Sequence, residues 1–297
     1  MFEQHFASYL LEKQHITKSQ FDLLMEQHQS TRVKLGLIAV AQNLLTNEQA
    51  DQLHALQRQT DRRFGDLAVE KGYLSPQQVE GLLEMQGNSY LRLVQILSEN
   101  SILSLAEIED FLQEYQVDQG FSSEQIQVLK SGDLQSILPL LVRTDNPLAN
   151  QYISLALRNI IRFIHNQPLL GTMTRVTSYS KQNLAFQAVV GDHDLWLGCA
   201  SDDDSLIEIA SPFAREEFFQ MDEDAFDAVC EFLNCVNGLF STELSHEDIT
   251  VDMEPPSFAT GQKIRSAKGL YVVPITINGR HFDLLAAIDD QLQLEIR

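Results

Sequence analysis

The sequence predicts an all-helical N-terminal half followed by an α+β half. Three observations carry this. A period of 29 residues runs four times through the first ~116 positions, a length that suits stacked helical pairs. Strand-like segments begin only after Pro168. Between the two patterns, Thr144, Asp145, Asn146 and Pro147 form the strongest breaker in the chain, which places a domain junction between a helical repeat domain, 1–145, and an α+β domain, 146–297.

The repeat is legible in its caps. A Ser or Thr followed three residues later by Gln or Glu lets the two side chains satisfy each other's backbone N–H groups at a helix start. The pairs are Thr17 with Gln20, Thr46 with Gln49, Ser75 with Gln78, and Ser104 with Glu107. Ile16, Leu45, Leu74 and Leu103 stand just before these caps as hydrophobic staples, and Leu24, Leu53, Leu82 and Phe111 recur seven positions into each helix. No such unit buries its apolar face alone, so an array is expected. FSSEQIQVLKSG adds half a further repeat, capped at Ser122 or Ser123, and DLQSILPLLV is expected to close the array.

In the second half, residues 148–166 predict an amphipathic helix with Ile153, Leu157, Ile160, Ile161 and Ile164 inward, stopped by Pro168. TRVTSYS, NLAFQAVVG, DLWLGCA and LIEIA then predict strands, and Pro212 to Phe219 a short helical piece. DITVDME, GLYVVPITING and RHFDLLAAI predict further strands, the last two joined by a tight Asn278-Gly279 turn. Helix, strands, helix, strands is the order of an antiparallel sheet with helices on one face.

Residues 222–240, DEDAFDAVCEFLNCVNGLF, are the helix around which this half is organised. At about 100° per residue, Phe226, Val229, Leu233, Val236 and Phe240 share one side, while Asp227, Glu231, Asn234 and Gly238 lie roughly opposite. Asp222 or Asp224 is the expected N-cap, where negative charge suits the helix start. Gly238, Ser241 and Thr242 mark its expected fraying. Small neighbours at Ala228, Cys235 and Gly238 and the absence of any Lys or Arg leave a flat strip from which an acid and an amide project, a shape suited to docking.

Composition narrows the function classes. A formal net charge of −21, spread as 11 basic and 20 acidic side chains over residues 1–145 and 10 and 22 over 146–297, argues against nucleic acid. Cys199, Cys230 and Cys235 match no zinc or redox spacing and read as free thiols. His193 and His281 lie far apart in sequence and no Ser or Cys has an assignable base, so a nucleophilic hydrolase has little support. The run Asp202–Asp204 reads as a solvated loop rather than a cation site, and Trp196 as core. The opening MFEQHFASYLLEKQH is broken by Glu3, His5, Glu12 and Lys13 and no apolar run spans a bilayer, so a cytoplasmic location is expected.

Two resemblances follow from these residues. Asp227-x-x-x-Glu231-x-x-Asn234, with Pro255 and Pro256 about twenty residues on, resembles the signature of the CheC, CheX and FliY class of chemotaxis phosphatases. It covers roughly residues 147–297, and helix 148–166 lacks an E-x-x-N of its own, as in the single-site CheX type. The resemblance implies a CheX-like domain that removes phosphate from the aspartate of a response-regulator receiver. In that reading Asn234 positions water and Glu231 fixes docking as the catalytic pair, while Asp227, Gly238, Pro255 and Pro256 contact the partner. It implies no cofactor on this chain, with Mg²⁺ carried by the receiver. It also implies a homodimer through sheet edges, with residues 270–277 as the candidate strand. The alternative is a non-catalytic module that binds a receiver or another partner.

KLGLIAVAQNLLTNEQADQLHALQ and RFGDLAVEKGYLSPQQVEGLLEMQ resemble the helical N-terminal domain of type II secretion and pilus ATPases, some of which bind cyclic di-GMP through an R-L-G opening and a closing Gln. Carried over, Lys34, Gly36, Arg63 and Gly65 are nucleotide-binding positions. Lys34 stands where that motif has arginine and Phe64 where it has leucine. The simpler reading takes Gly36 and Gly65 as close helix contacts and Lys34 and Arg63 as solvated charge.

Overall fold

The computed structural model describes residues 2–28, 32–60, 62–166, 168–290 and 292–296, and the chain divides into two compact units, 2–133 and 134–297. The first unit is helical: α1 (Phe2–Glu12), α2 (Lys18–His28), α3 (Leu35–Ala41), α4 (Asn47–Thr60), α5 (Phe64–Glu70), α6 (Pro76–Glu84), α7 (Ser89–Glu99), α8 (Leu105–Gln119) and α9 (Ser123–Ser131).

The expected caps are in place. Ser75 with Gln78 and Ser104 with Glu107 form reciprocal boxes at the starts of α6 and α8, and Ser122 with Gln125 does the same for α9. At α2 and α4 the Thr17 and Thr46 N–H groups donate to Gln20 and Gln49 side chains at 2.8 and 2.9 Å. The staples Ile16, Leu45, Leu74 and Leu103 are buried beside them. Gly36 and Gly65 lie in α3 and α5, where a Cβ would stand 2.6 Å from His54 Nε2 and 2.7 Å from Val79 Cγ1 respectively. Both glycines therefore serve close helix approach.

In α1 the His5 Nε2 is sealed from solvent with no hydrogen-bond partner among the described residues. Burial lowers its pKa from the usual 6.5 to about 4. The unfolded chain therefore binds a proton at a pH where the folded unit still refuses one. The neutral imidazole's contribution is fully present above about pH 6.5 and is lost as pH falls toward 4, on the order of 2–3 kcal/mol. Thermal unfolding of the first unit is expected to show this loss between pH 6.5 and 4, and His5→Leu to flatten it.

The second unit contains α10 (Leu134–Leu141), α11 (Pro147–Asn159), α12 (Ile207–Ala214) and α13 (Glu223–Ser245). Its strands are β1 (Leu169–Leu170), β2 (Thr174–Gly191), β3 (Leu195–Ser201), β4 (Val251–Met253), β5 (Ser257–Ile277), β6 (Arg280–Ile288) and β7 (Gln293–Ile296). The order is β1-β5-β6-β3-β2-β4, all neighbours antiparallel, with β7 on β5. β2 also pairs β5, so the pairings β5–β6–β3–β2–β5 close into a ring.

Strand parity separates two cores. Ala185, Val189, Leu197, Cys199, Val273, Ile275, Leu284 and Ala286 face the helices and pack on Tyr152, Ile153, Leu157, Phe226, Val229, Leu233 and Phe240. The alternate residues Leu184, Trp196, Val272 and Leu285 meet Ile264 and Leu270 in a smaller core on the other face. Helices thus cover one face, as expected, and the curled β2–β5 arm covers the other.

Several expectations are corrected. LIEIA is helical: Asp203 accepts from Ser205 N–H to start a short turn that runs into α12, and Leu206, Ile207, Ile209 and Ala210 pack at helical spacing. That helix ends where Arg215 turns left-handed at φ 57°, so most of 212–219 is not helical. α10, expected to close the helical half, packs in the second unit through Leu138, with Val142 just past its end in the same core. Residues 270–277 are no free edge, because β6 pairs them on one side and β1 and β2 on the other. The Asn278-Gly279 hairpin forms as expected, with φ of 51° and 79°.

Candidate functional site

The site begins with what anchors α13. Asp222 is the N-cap, its carboxylate accepting from Ala225 N–H at 3.0 Å, and Glu223 and Asp224 add negative charge in the first turn. Phe226, Val229, Leu233, Val236 and Phe240 are each at most 3% exposed, and each contributes roughly 1.5–3 kcal/mol by leaving water. The helix does not fray at Gly238. It continues to Ser245, with the Thr242 hydroxyl bonded to the Gly238 carbonyl at 2.8 Å.

The opposite side carries the predicted residues. Asp227 and Glu231 are exposed, and neither has an ion-pair partner among the described residues. Asn234 and Gly238 are half-buried. Glu231 and Asn234 stand one helical turn apart, with Cβ atoms about 5–6 Å from each other at that spacing. The strand end after β4 runs beside them: Glu254 N–H donates to the Ala188 carbonyl at 3.0 Å, followed by exposed Pro255 and half-buried Pro256. Met253 sits over Gly238, its sulfur 3.9 Å from where a Cβ would be. Met253 and Phe258 are 42% and 39% exposed, and Phe258 stacks on Phe226 at 4.7 Å. The face is therefore open, acidic and part apolar.

Two features went unforeseen. Gln187 of β2 is 1% exposed at a helix-facing position and bonds Asn234, and Asn237 of α13, also 1% exposed, bonds Gln187 in turn. One signal for Gln187 was in the sequence, a lone amide at a core position of the alternating LAFQAVV. Cys230, just below the strip, has its thiol pushed up to about 11 by burial and then by the Asp227 and Glu231 charges, so it stays protonated at neutral pH.

The other polar clusters are accounted for structurally. Asp202 pairs with Lys181 at 2.8 Å, Asp204 accepts from Met221 N–H, and the Ser205 hydroxyl holds the Asp203 carboxyl below the usual range. His193 bonds Asp289 and His281 lies against Asp283. Cys199, Cys230 and Cys235 are free.

In the first unit, Lys34 and Arg63 line one groove together with Arg32, His54, Arg58 and Gln86. They are the residues before α3 and α5, and the Gln86 amide donates to the Val33 carbonyl at 2.8 Å. Lys34 pairs with Glu99 at 2.6 Å, whereas Arg58 and Arg63 have no ion pair among the described residues. Gly36 and Gly65 lie in the helices behind the groove.

No described helix is long and apolar enough to cross a membrane. No curated protein matches the chain. Among solved structures it is similar to a chemotaxis protein CheX from Desulfovibrio desulfuricans (16% identity, 48% of this chain and 99% of that one, TM-score 0.42). It is also similar to a CheC-like superfamily protein from Shewanella sp. PV-4 (16%, 49% and 99%, TM-score 0.42). A third is in a CheX–CheY–BeF₃–Mg²⁺ complex from Borrelia burgdorferi (18%, 46% and 94%, TM-score 0.37). Residues 184–278, from β2 through the end of β5 and including Gln187, Glu231, Asn234 and Pro255, match the family model of the chemotaxis phosphatase CheX.

Proposed function

We propose that the second unit removes phosphate from the aspartyl phosphate of a response-regulator receiver domain. The observation that carries this is the pairing of Glu231 and Asn234 on one open face of α13, inside a segment matching a phosphatase family. Aspartyl phosphate with its Mg²⁺, both supplied by the receiver, is already activated, and what it lacks is an oriented water. The Asn234 amide orients one without competing for the phosphorus. The water oxygen bonds phosphorus, the bond from phosphorus to the aspartyl oxygen breaks, and inorganic phosphate and a free carboxylate result. Exposed Glu231 pairs with a cation of the receiver and sets the register, while Met253, Gly238, Pro255 and Asp227 form the docking rim. Phosphate release from phosphorylated receivers, followed with and without the chain, tests this. Binding without acceleration would leave a recognition module.

A second reading concerns the first unit. Arg32, Lys34, Arg58 and Arg63 line one groove with a single carboxylate, Asp51, and Lys34 is paired to Glu99, so the groove keeps a net positive lining in a chain whose net charge is −21. This favours an anionic ligand there, and cyclic di-GMP is the candidate implied by the flanking Gly36 and Gly65 segments. Calorimetry with cyclic di-GMP is expected to give saturable heat that Arg63→Glu weakens at least tenfold, since a favourable charge becomes repulsive. No heat at millimolar ligand would remove this reading.

A further inference from the structure

Gln187 lies between Ala185 and Val189 on the helix-facing side of β2, where a primary amide needs partners for two N–H groups and a carbonyl. It has all three. Nε2 donates to the Glu254 main-chain carbonyl at 2.7 Å and to Asn234 Oδ1 at 2.9 Å, and Oε1 accepts from Asn237 Nδ2 at 2.8 Å. Asn237 Oδ1 accepts in turn from the hydroxyl of Tyr152, a fully buried side chain of α11.

The polarity of this chain is fixed from one end. A main-chain carbonyl only accepts, so the Gln187 nitrogen must face Glu254. The second hydrogen of that nitrogen then points at Asn234, which has to answer with its oxygen. On the other side, the Gln187 oxygen requires the Asn237 nitrogen, which leaves the Asn237 oxygen for Tyr152. No single amide flips without setting two donors or two acceptors face to face in a buried site, where the mismatch is most costly.

We propose that Gln187 is a positioning residue, which with Asn237 and Tyr152 behind it holds the Asn234 amide in one flip state. Asn234 Oδ1 is turned inward with one lone pair used, and Nδ2 is offered to the open face. Its two N–H donors and the remaining Oδ1 lone pair are then presented together to the water and the phosphoryl oxygens. Without Gln187 the amide divides its time between two faces and several rotamers. The consequence for rate rests on the phosphatase reading.

The test is steady-state dephosphorylation of a Mg²⁺-loaded receiver domain charged with a small-molecule phosphodonor. Gln187→Met is expected to lower kcat about tenfold with KM within twofold, since it loosens a reacting group and not the docking face. In the Asn234→Ala background the same change is expected to have no further effect. Tyr152→Phe, which leaves Gln187 in place, is expected to act in the same direction and also vanish in that background, so a poorly folded Gln187→Met does not end the test. Unchanged kcat in both variants, or equal losses with and without Asn234, would overturn the proposal. Failure of the phosphatase reading looks different: wild type gives no acceleration. Side-chain amide NMR then decides the orientation by itself. Protected Gln187 N–H₂ with freely exchanging Asn234 N–H₂ supports it, and the reverse pattern overturns it.

Discussion

Asn234→Ala is expected to lower the rate of receiver dephosphorylation about a hundredfold or more while leaving receiver affinity within about twofold. The residue is half-buried at the edge of the strip, and its truncation removes the amide without touching Glu231, Met253 or Pro255. The fold is expected to survive the change. Gln187 keeps its bonds to the Glu254 carbonyl and to Asn237 and loses one donor contact, a cost of about 1 kcal/mol. Asn234→Asp is expected to be no better, because a second negative charge beside the phosphoryl group opposes its approach. Paired measurements of phosphate lifetime and receiver binding separate the outcomes. Loss of both together would mean that Asn234 is a docking residue.

Phe240→Ala is expected to destabilise the second unit by about 3–5 kcal/mol, the range for emptying a buried aromatic site. Phe240 is 1% exposed and stacks on Tyr152, ring centroids 4.6 Å apart at 26°. The cavity would open where α11 crosses α13, and the sheet beneath is too well paired to collapse into it. Tyr152 is also the end of the amide chain, so receiver dephosphorylation is expected to slow in the fraction that stays folded. Urea unfolding followed through Trp196, the one tryptophan of the chain, measures the loss. A change below about 1 kcal/mol would mean that this contact is not part of the core.

What was legible in the sequence is what local chemistry decides. The stripe Phe226–Val229–Leu233–Val236–Phe240, the caps at Ser75 and Ser104, and the Asn278-Gly279 turn each follow from spacing within one element. That Glu231 and Asn234 share one face was readable for the same reason, since one helix carries both. LIEIA failed because a short apolar run has no period long enough to separate strand from helix, and the Asp203–Ser205 cap decided it. Helix α13 outran Gly238 because its buried face continues to Leu244, which outweighs the weak propensity of one glycine. The β2–β5 pairing joins residues as distant as Thr174 and Val272, and nothing in either strand announces its partner. The contact between Gln187 and Asn234 likewise depends on how α13 packs across β2, which no spacing within either element sets. A polar residue at a core position of LAFQAVV was visible, but its partner on α13 was not.

The most direct test is the lifetime of aspartyl phosphate on receiver domains from the same genome, measured with wild-type chain and with Asn234→Ala at equal concentration. Shortening by wild type and its loss in Asn234→Ala is the result expected of a phosphatase built on α13. An unchanged lifetime for every receiver that binds the chain would contradict it and leave Glu231 and Asn234 as a recognition surface.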